Sequence, residues 1–187
     1  VMGEAITKVL GKRDIRYHPL FTFEKMQPGT HTIIPSGGEP EKVDLLIAVP
    51  PHQAPDVVRS SGLIGASGWI PVDKHTLRTE HEGVYAIGDV NSVRLANGKT
   101  LPMAGVFAHY EAKVVAEQIA TELQGQRSDA AFSGKGYCWL ELGGGKAGFA
   151  GGNFYNEPEP SVSLYPPMRF WHWGKVLFEK WWLRHWF

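Results

Sequence analysis

Residues 83 to 123 constrain this chain more than any other stretch, because they pass from a strand pattern to a helix pattern across one acidic turn. Val84-Tyr85-Ala86-Ile87 is a short, wholly apolar, β-prone run, the kind that lies buried in a parallel sheet. Gly88 ends it with backbone freedom, and Asp89 then sets a carboxylate at the strand's carboxyl edge. A polar loop from Asn91 to Thr100 leads to Leu101-Pro102-Met103-Ala104-Gly105. From there to Leu123, the residues Val106, Phe107, Tyr110, Val114, Val115, Gln118, Ile119 and Leu123 recur at helical spacing, with Pro102 and Gly105 marking the entry.

In open α/β sheets, ligands bind beyond the carboxyl ends of strands, where a helix N-terminus offers unpaired N–H groups and partial positive charge. Asp89 beside such a helix would repel a phosphate, but it suits a ribityl or ribose hydroxyl, which donates to a carboxylate. Gly83-Val-Tyr-Ala-Ile-Gly-Asp89 followed by Leu101-Pro-Met-Ala-Gly-Val-Phe-Ala108 resembles the second flavin-contact motif of the two-dinucleotide-binding-domain flavoproteins, the pyridine nucleotide-disulfide oxidoreductase superfamily. Within it the chain looks closest to the sulfide:quinone oxidoreductase and type-II NADH dehydrogenase branch. The resemblance implies FAD as cofactor, with Gly88 and Asp89 at the ribityl chain and Pro102, Met103 and Ala104 at the N1–C2=O edge of the isoalloxazine. Reduction places negative charge near N1, which a helix dipole favours by about 0.3–1 kcal/mol. The alternative is that Asp89 only caps a helix or turn in some other α/β protein.

Composition narrows the classes. Nineteen basic and nineteen acidic residues among 187 leave no net charge, so nothing marks a nucleic-acid surface. One cysteine excludes an intrachain disulfide, no zinc-type spacing or signal peptide is present, and a reducing, cytoplasmic compartment is expected. No run of about 18 apolar residues exists to span a bilayer. Val1 leads into a helical pattern over residues 2 to 10, with no preceding strand and no Gly-rich turn. The resemblance therefore implies the C-terminal half of a larger enzyme, whose FAD fingerprint and NAD(P)H-binding fingerprint would lie upstream.

The expected fold is α/β, with partial Rossmann-like domains followed by a β-hairpin and an amphipathic helix. Ile15 to His18 reads as a short strand; Leu20 to Met26 and His31 to Pro35 read as a hairpin around Gln27-Pro28-Gly29-Thr30. Val43 to Val49, apolar apart from Asp44, reads as a central strand. The resemblance then implies that residues 1–42 are the end of a nicotinamide-type domain, 43–125 the returning part of the FAD domain, and 126–187 a membrane-association or dimerisation module. Pro50 and Pro51 hold the loop after the Val43–Val49 strand rigid, and His52 in it is a candidate flavin-wall residue or a plain solvent-facing histidine. A short helix is expected over Asp56 to Ser61, and extended pieces at Trp69–Asp73 and Thr76–Thr79.

Tyr137–Leu142 and Lys146–Ala150 flank Gly143-Gly144-Gly145 as a hairpin. The formal G-x-G-x-x-G at Gly143, Gly145 and Gly148 is rejected as a dinucleotide site, because no helix follows to receive a pyrophosphate. Cys138-Trp-Leu-Glu-Leu-Gly143 resembles the C-terminal-half cysteine setting of sulfide:quinone oxidoreductases, which implies a catalytic role in sulfur transfer with a partner cysteine outside this sequence. Its sequence neighbours supply no cation to lower its pKa, and the competing reading is a small buried hydrophobe on a strand.

Five of seven tryptophans fall between Trp171 and Trp186. On a helical wheel Phe170, Trp171, Leu177, Phe178, Trp181 and Trp182 share a sector about 140° wide. Arg169, Lys175, Lys180 and Arg184 against Glu179 leave a local charge of +3 (4 − 1). Such a helix suits the membrane interface, where indoles sit at headgroup level and cations meet anionic lipid. The other reading has it pack on the rest of the protein or on a second copy in a homodimer. The resemblance adds peripheral membrane attachment and quinone as partner. Function accordingly reads as electron transfer from sulfide or NADH through flavin to quinone. The rival is a non-catalytic structural or membrane-binding module, since the chain without its upstream half would lose most flavin contacts.

Overall fold

Helix α1 (Met2–Gly11) carries Glu4 in its first turn and Lys8 in its last, the charge order that opposes the helix dipole. In this computed structural model, which describes residues 2–187, α1 belongs to the first of two units, Val1–His52 and Gln53–Phe187. Strands β1 (Phe23–Gln27) and β2 (Thr32–Pro35) form the expected antiparallel hairpin, with Gln27 opposite Thr32. Gly29 takes φ 77° at its tip, where a side chain would be strained. Strand β3 (Glu41–Lys42) pairs with the other edge of β2, giving the order β1-β2-β3.

Two strand expectations fail in this unit. Ile15–His18 joins no ladder. Val43–Val49 also forms no strand: Val43 N donates to His31 O at 2.8 Å, the residues after it join no ladder, and Leu45, Ile47 and Val49 are 76%, 85% and 80% exposed. A central strand exists only where neighbours complete its hydrogen bonds on both sides, and no strand among the described residues lies beside this one.

The second unit begins with α2 (Asp56–Arg59), started behind Pro55 and shorter than expected, with Ser60 as its C-cap and Gly62 at φ 79° in the turn beyond. Strands β4 (Ile70–Pro71) and β5 (Asn91–Ser92) pair in parallel. The run Val84–Ile87 is not a parallel strand. It lies against Leu77–Thr79 through an antiparallel bridge between Arg78 and Tyr85, with Ala86 N donating to Leu77 O at 3.1 Å and Thr79 N to Val84 O at 2.9 Å. Ala86 is buried and Ile87 exposed.

Helix α3 (Gly105–Leu123) starts and ends where the sequence places it. Its buried stripe is Phe107, Glu111, Val115 and Gln118, at spacings of four, four and three. Phe107 and Val115 join Leu77, Val93, Leu95, Leu101 and Phe132 in the core. Phe107 meets Phe154 edge to face at 5.1 Å, and Gly136 leaves the space its ring occupies. Strands β6 (Lys135–Glu141), β7 (Ala147–Asn153) and β8 (Ser161–Met168) form an antiparallel meander in that order. Gly143, Gly144 and Gly145 all have φ between 63° and 76°, which makes them a hairpin tip. Strand β8 carries Pro166 and Pro167 near its end; as an edge strand it tolerates their missing N–H groups. Helix α4 (Arg169–Trp186) then packs back on the meander.

Candidate functional site

The turn after Val84–Ile87 is a single 3-10 turn, Gly88–Val90. Gly88 takes φ 69°, and a Cβ there would stand 3.3 Å from that of Ala108, so only glycine lets the turn lie this close to α3. Asp89, at the crest, is exposed and makes no hydrogen bond among the described residues. Pro102-Met103-Ala104 brings the chain into α3 from the other side. Ala104 is the N-cap residue, extended at φ −152°, and no side chain caps the helix or places an acid in its first turn. Gly88, Asp89, Pro102, Met103 and Ala104 line one small cleft, with Phe107 and Glu111 behind it. Five of the seven expected site residues therefore converge.

The donor set matches a flavin's needs. An unengaged carboxylate offers acceptors for a polyol, and the uncapped start of a 19-residue helix offers N–H donors and partial positive charge to a ring edge that becomes anionic on reduction.

Glu111 is the residue that sequence reading misses. It is 1% exposed, and its Oε2 accepts the Gly88 N–H at 2.6 Å and the Asn91 Nδ2–H at 2.9 Å. Burial pushes its pKa up, the Gly88 amide and the Asn91 side chain pull it down, and the Asp89 charge pushes it up again. The available signal is position: Glu111 lies four residues from both Phe107 and Val115, on the face the apolar pattern assigns to the core.

Cys138 stands on β6 and is exposed, which corrects the buried-hydrophobe reading; its thiol donates weakly to Trp139 O at 3.5 Å. It lines a second cleft, of about 550 Å³, shared with Ala104, Lys113, Trp139, Lys175 and Trp182. Lys113 from α3 and Lys175 from α4 line the same cleft, Lys175 in an ion pair with Glu179 at 3.3 Å. Ala104 lies on both clefts, so they adjoin at the start of α3. A further groove, of about 720 Å³, runs past Lys113, Lys135 and Ser163 and holds none of the expected site residues. His52 is exposed at the end of the first unit.

The aromatic sector of α4 divides in two. Trp171 stacks on Phe149 at 4.6 Å, Phe178 lies 5.1 Å from Trp139, and Trp182 meets His109 at 5.2 Å. Phe170, Leu177 and Trp181 face outward at 65%, 67% and 54% exposure, joined by Trp173 at 63%. One face of α4 therefore packs on the meander, and the other is exposed. No helix among the described residues is long and apolar enough to cross a membrane, and none of their side chains cluster as metal ligands.

No protein-family profile matches the chain. The mitochondrial sulfide:quinone oxidoreductase of Schizosaccharomyces pombe is 30% identical over 72% of this chain and 30% of its own length. That of Mus musculus is 26% identical over 49% of this chain and 22% of its own length. The chain thus matches less than a third of either relative. The crystal structure of the sulfide:quinone oxidoreductase from Aquifex aeolicus superposes on 96% of this chain and 44% of that one, with a TM-score of 0.79 at 20% identity. In sequence and in α/β fold, this chain is similar to one stretch of the sulfide:quinone oxidoreductases, the branch of two-dinucleotide-binding-domain flavoproteins to which its Gly88-Asp89 and Pro102-Met103-Ala104 motifs point.

Proposed function

We propose that this chain supplies the isoalloxazine and ribityl half of an FAD site in an oxidoreductase that passes electrons from sulfide to quinone. The observation that carries this reading is the convergence of Asp89 and the uncapped start of α3 on one cleft. Bound flavin supplies the capacity to take up two electrons and release them. Asp89 accepts from ribityl hydroxyls, and the N–H groups that open α3 face the pyrimidine edge. Glycine at position 88 keeps the turn low enough for Asp89 and Ala104 to share a ligand.

In the net reaction hydrogen sulfide loses two electrons and two protons to become sulfane sulfur, and the quinone gains both to become quinol. Cys138 serves the sulfur side, because its thiol is exposed in the cleft that adjoins the flavin cleft at Ala104. Phe170, Trp173, Leu177 and Trp181 form an outward stripe at i, i+3, i+7 and i+11, and Lys180 and Arg184 share that side of α4. This stripe lies in the membrane interface, so the protein is peripheral on a membrane from which quinone enters.

The full-length protein, assayed anaerobically with a quinone, should form quinol on addition of sulfide, and Cys138→Ser should abolish that. If NADH drives quinol formation and sulfide does not, and Cys138→Ser retains full rate, the protein is an NADH:quinone oxidoreductase and Cys138 is packing. The absence of quinol formation with either donor would leave the chain a structural module.

A further inference from the structure

We propose that Glu111 is the positioning residue for the turn that bears Asp89. The geometry stands by itself, while its consequence for cofactor binding rests on the flavin reading above. An apolar side chain at residue 111 would continue the stripe between Phe107 and Val115 without desolvating a charge. The carboxylate there instead has two partners that bracket Asp89. Gly88 N–H reaches Oε2 from the residue before it, and Asn91 Nδ2–H reaches the same oxygen from two residues after it. Asn91 also spans back to Ala86 O at 3.4 Å, which ties the end of the Val84–Ile87 run into the same network.

The turn is therefore pinned on both sides of Asp89 to α3, the helix whose first residues form the other wall of the cleft. Glu111 lies seven residues beyond Ala104, about two helical turns and 10 Å along the axis. Acceptor and donor halves of the site are thereby held by a single rigid element, so Asp89 cannot drift from the start of α3 without breaking bonds made in a dry interior. Among the described residues, the charged and titratable groups that act on the carboxylate are Asp89, on the turn it holds, and Tyr155, whose hydroxyl donates to Lys74 O. Neither is a cation, so ionised Glu111 depends on the Gly88 and Asn91 donors.

The test compares wild type, Glu111→Gln and Glu111→Leu in the full-length protein. Glutamine keeps an acceptor oxygen at the same reach, and leucine keeps the volume without the acceptor. Amide hydrogen exchange over residues 86–91 should quicken by about tenfold or more in the leucine variant and stay within about threefold of wild type in the glutamine variant. Protection around Val115 should be equal in all three. The FAD dissociation constant should follow the same order, rising about tenfold with leucine and under about threefold with glutamine. Unchanged exchange at residues 86–91 in the leucine variant would overturn the assignment. Faster exchange there with unaltered FAD affinity would uphold it and instead overturn the flavin reading of the cleft. Should leucine abolish protection around Val115, Glu111→Asp serves, because a carboxylate one methylene shorter cannot reach Gly88; unaltered exchange in that variant overturns the assignment equally.

Discussion

Leu77 has no exposed surface, yet its backbone sits at φ 60°, a region where a leucine is strained by about 1–2 kcal/mol. Asp73 holds it there. Its Oδ1 accepts from Thr76 N at 2.7 Å, Thr76 Oγ1 at 2.9 Å and His75 N at 3.0 Å, while Leu77 N donates to Asp73 O at 2.9 Å. The Thr76 amide above all holds the Asp73 carboxyl below its ordinary value of 3.8, against a smaller opposing effect of burial. A depressed folded-state pKa stabilises above the unfolded value and is lost as pH falls through the folded one. Asp73→Ala should therefore lower stability in urea unfolding by about 1–2 kcal/mol at neutral pH. The deficit should shrink once the pH drops below about 3.8; a deficit of equal size in acid would mean that Asp73 acts without its charge. The same scale shows what a sequence conceals. The place of Asp89 on the cleft is legible because it follows from a turn and a helix start, both local. Glu111 is not, because a glutamate on an amphipathic helix looks like surface charge until the turn it anchors is in place.

At the scale of elements, α3, α4 and the two hairpins are legible because their periodicity and glycine turns are local properties. The runs Val43–Val49 and Val84–Ile87 are not, because strand identity depends on partners: the first has none among the described residues, and the second takes an antiparallel neighbour of its own. Helix α4 has two apolar faces, one packed and one exposed, and substitutions on each tell them apart. Trp171→Ala removes a ring stacked on Phe149 and should lower stability by about 2 kcal/mol, with vesicle binding intact wherever the fold persists. Trp173→Glu combined with Trp181→Glu changes only exposed rings, so the melting temperature should hold while flotation with anionic lipid vesicles is lost. Retained flotation in that double variant would place the membrane contact elsewhere. On the meander, Gly152→Ala would drive a methyl into the Ser161 carbonyl and should destabilise the β7–β8 pairing.

For the whole molecule, the α/β class and the likeness to sulfide:quinone oxidoreductases are legible in the motif around Asp89 and agree with both the sequence relatives and the superposition. The structure divides at His52–Gln53, a position set by which segments pack together. Residues 126–187 are not separate from residues 53–125: Phe107, Phe132, Phe154 and Tyr155 join them in one aromatic core, which short-range patterns do not reveal. That core sets the start of α3 beside the Cys138 cleft, and the proposed flavin site lies between Asp89 and that helix start. Equilibrium titration of FAD into the cofactor-stripped full-length protein tests it most directly. Wild type should bind about one FAD per chain, and Asp89→Ala, deprived of a charge-assisted acceptor, should bind at least about tenfold more weakly; equal dissociation constants for the two proteins would contradict it.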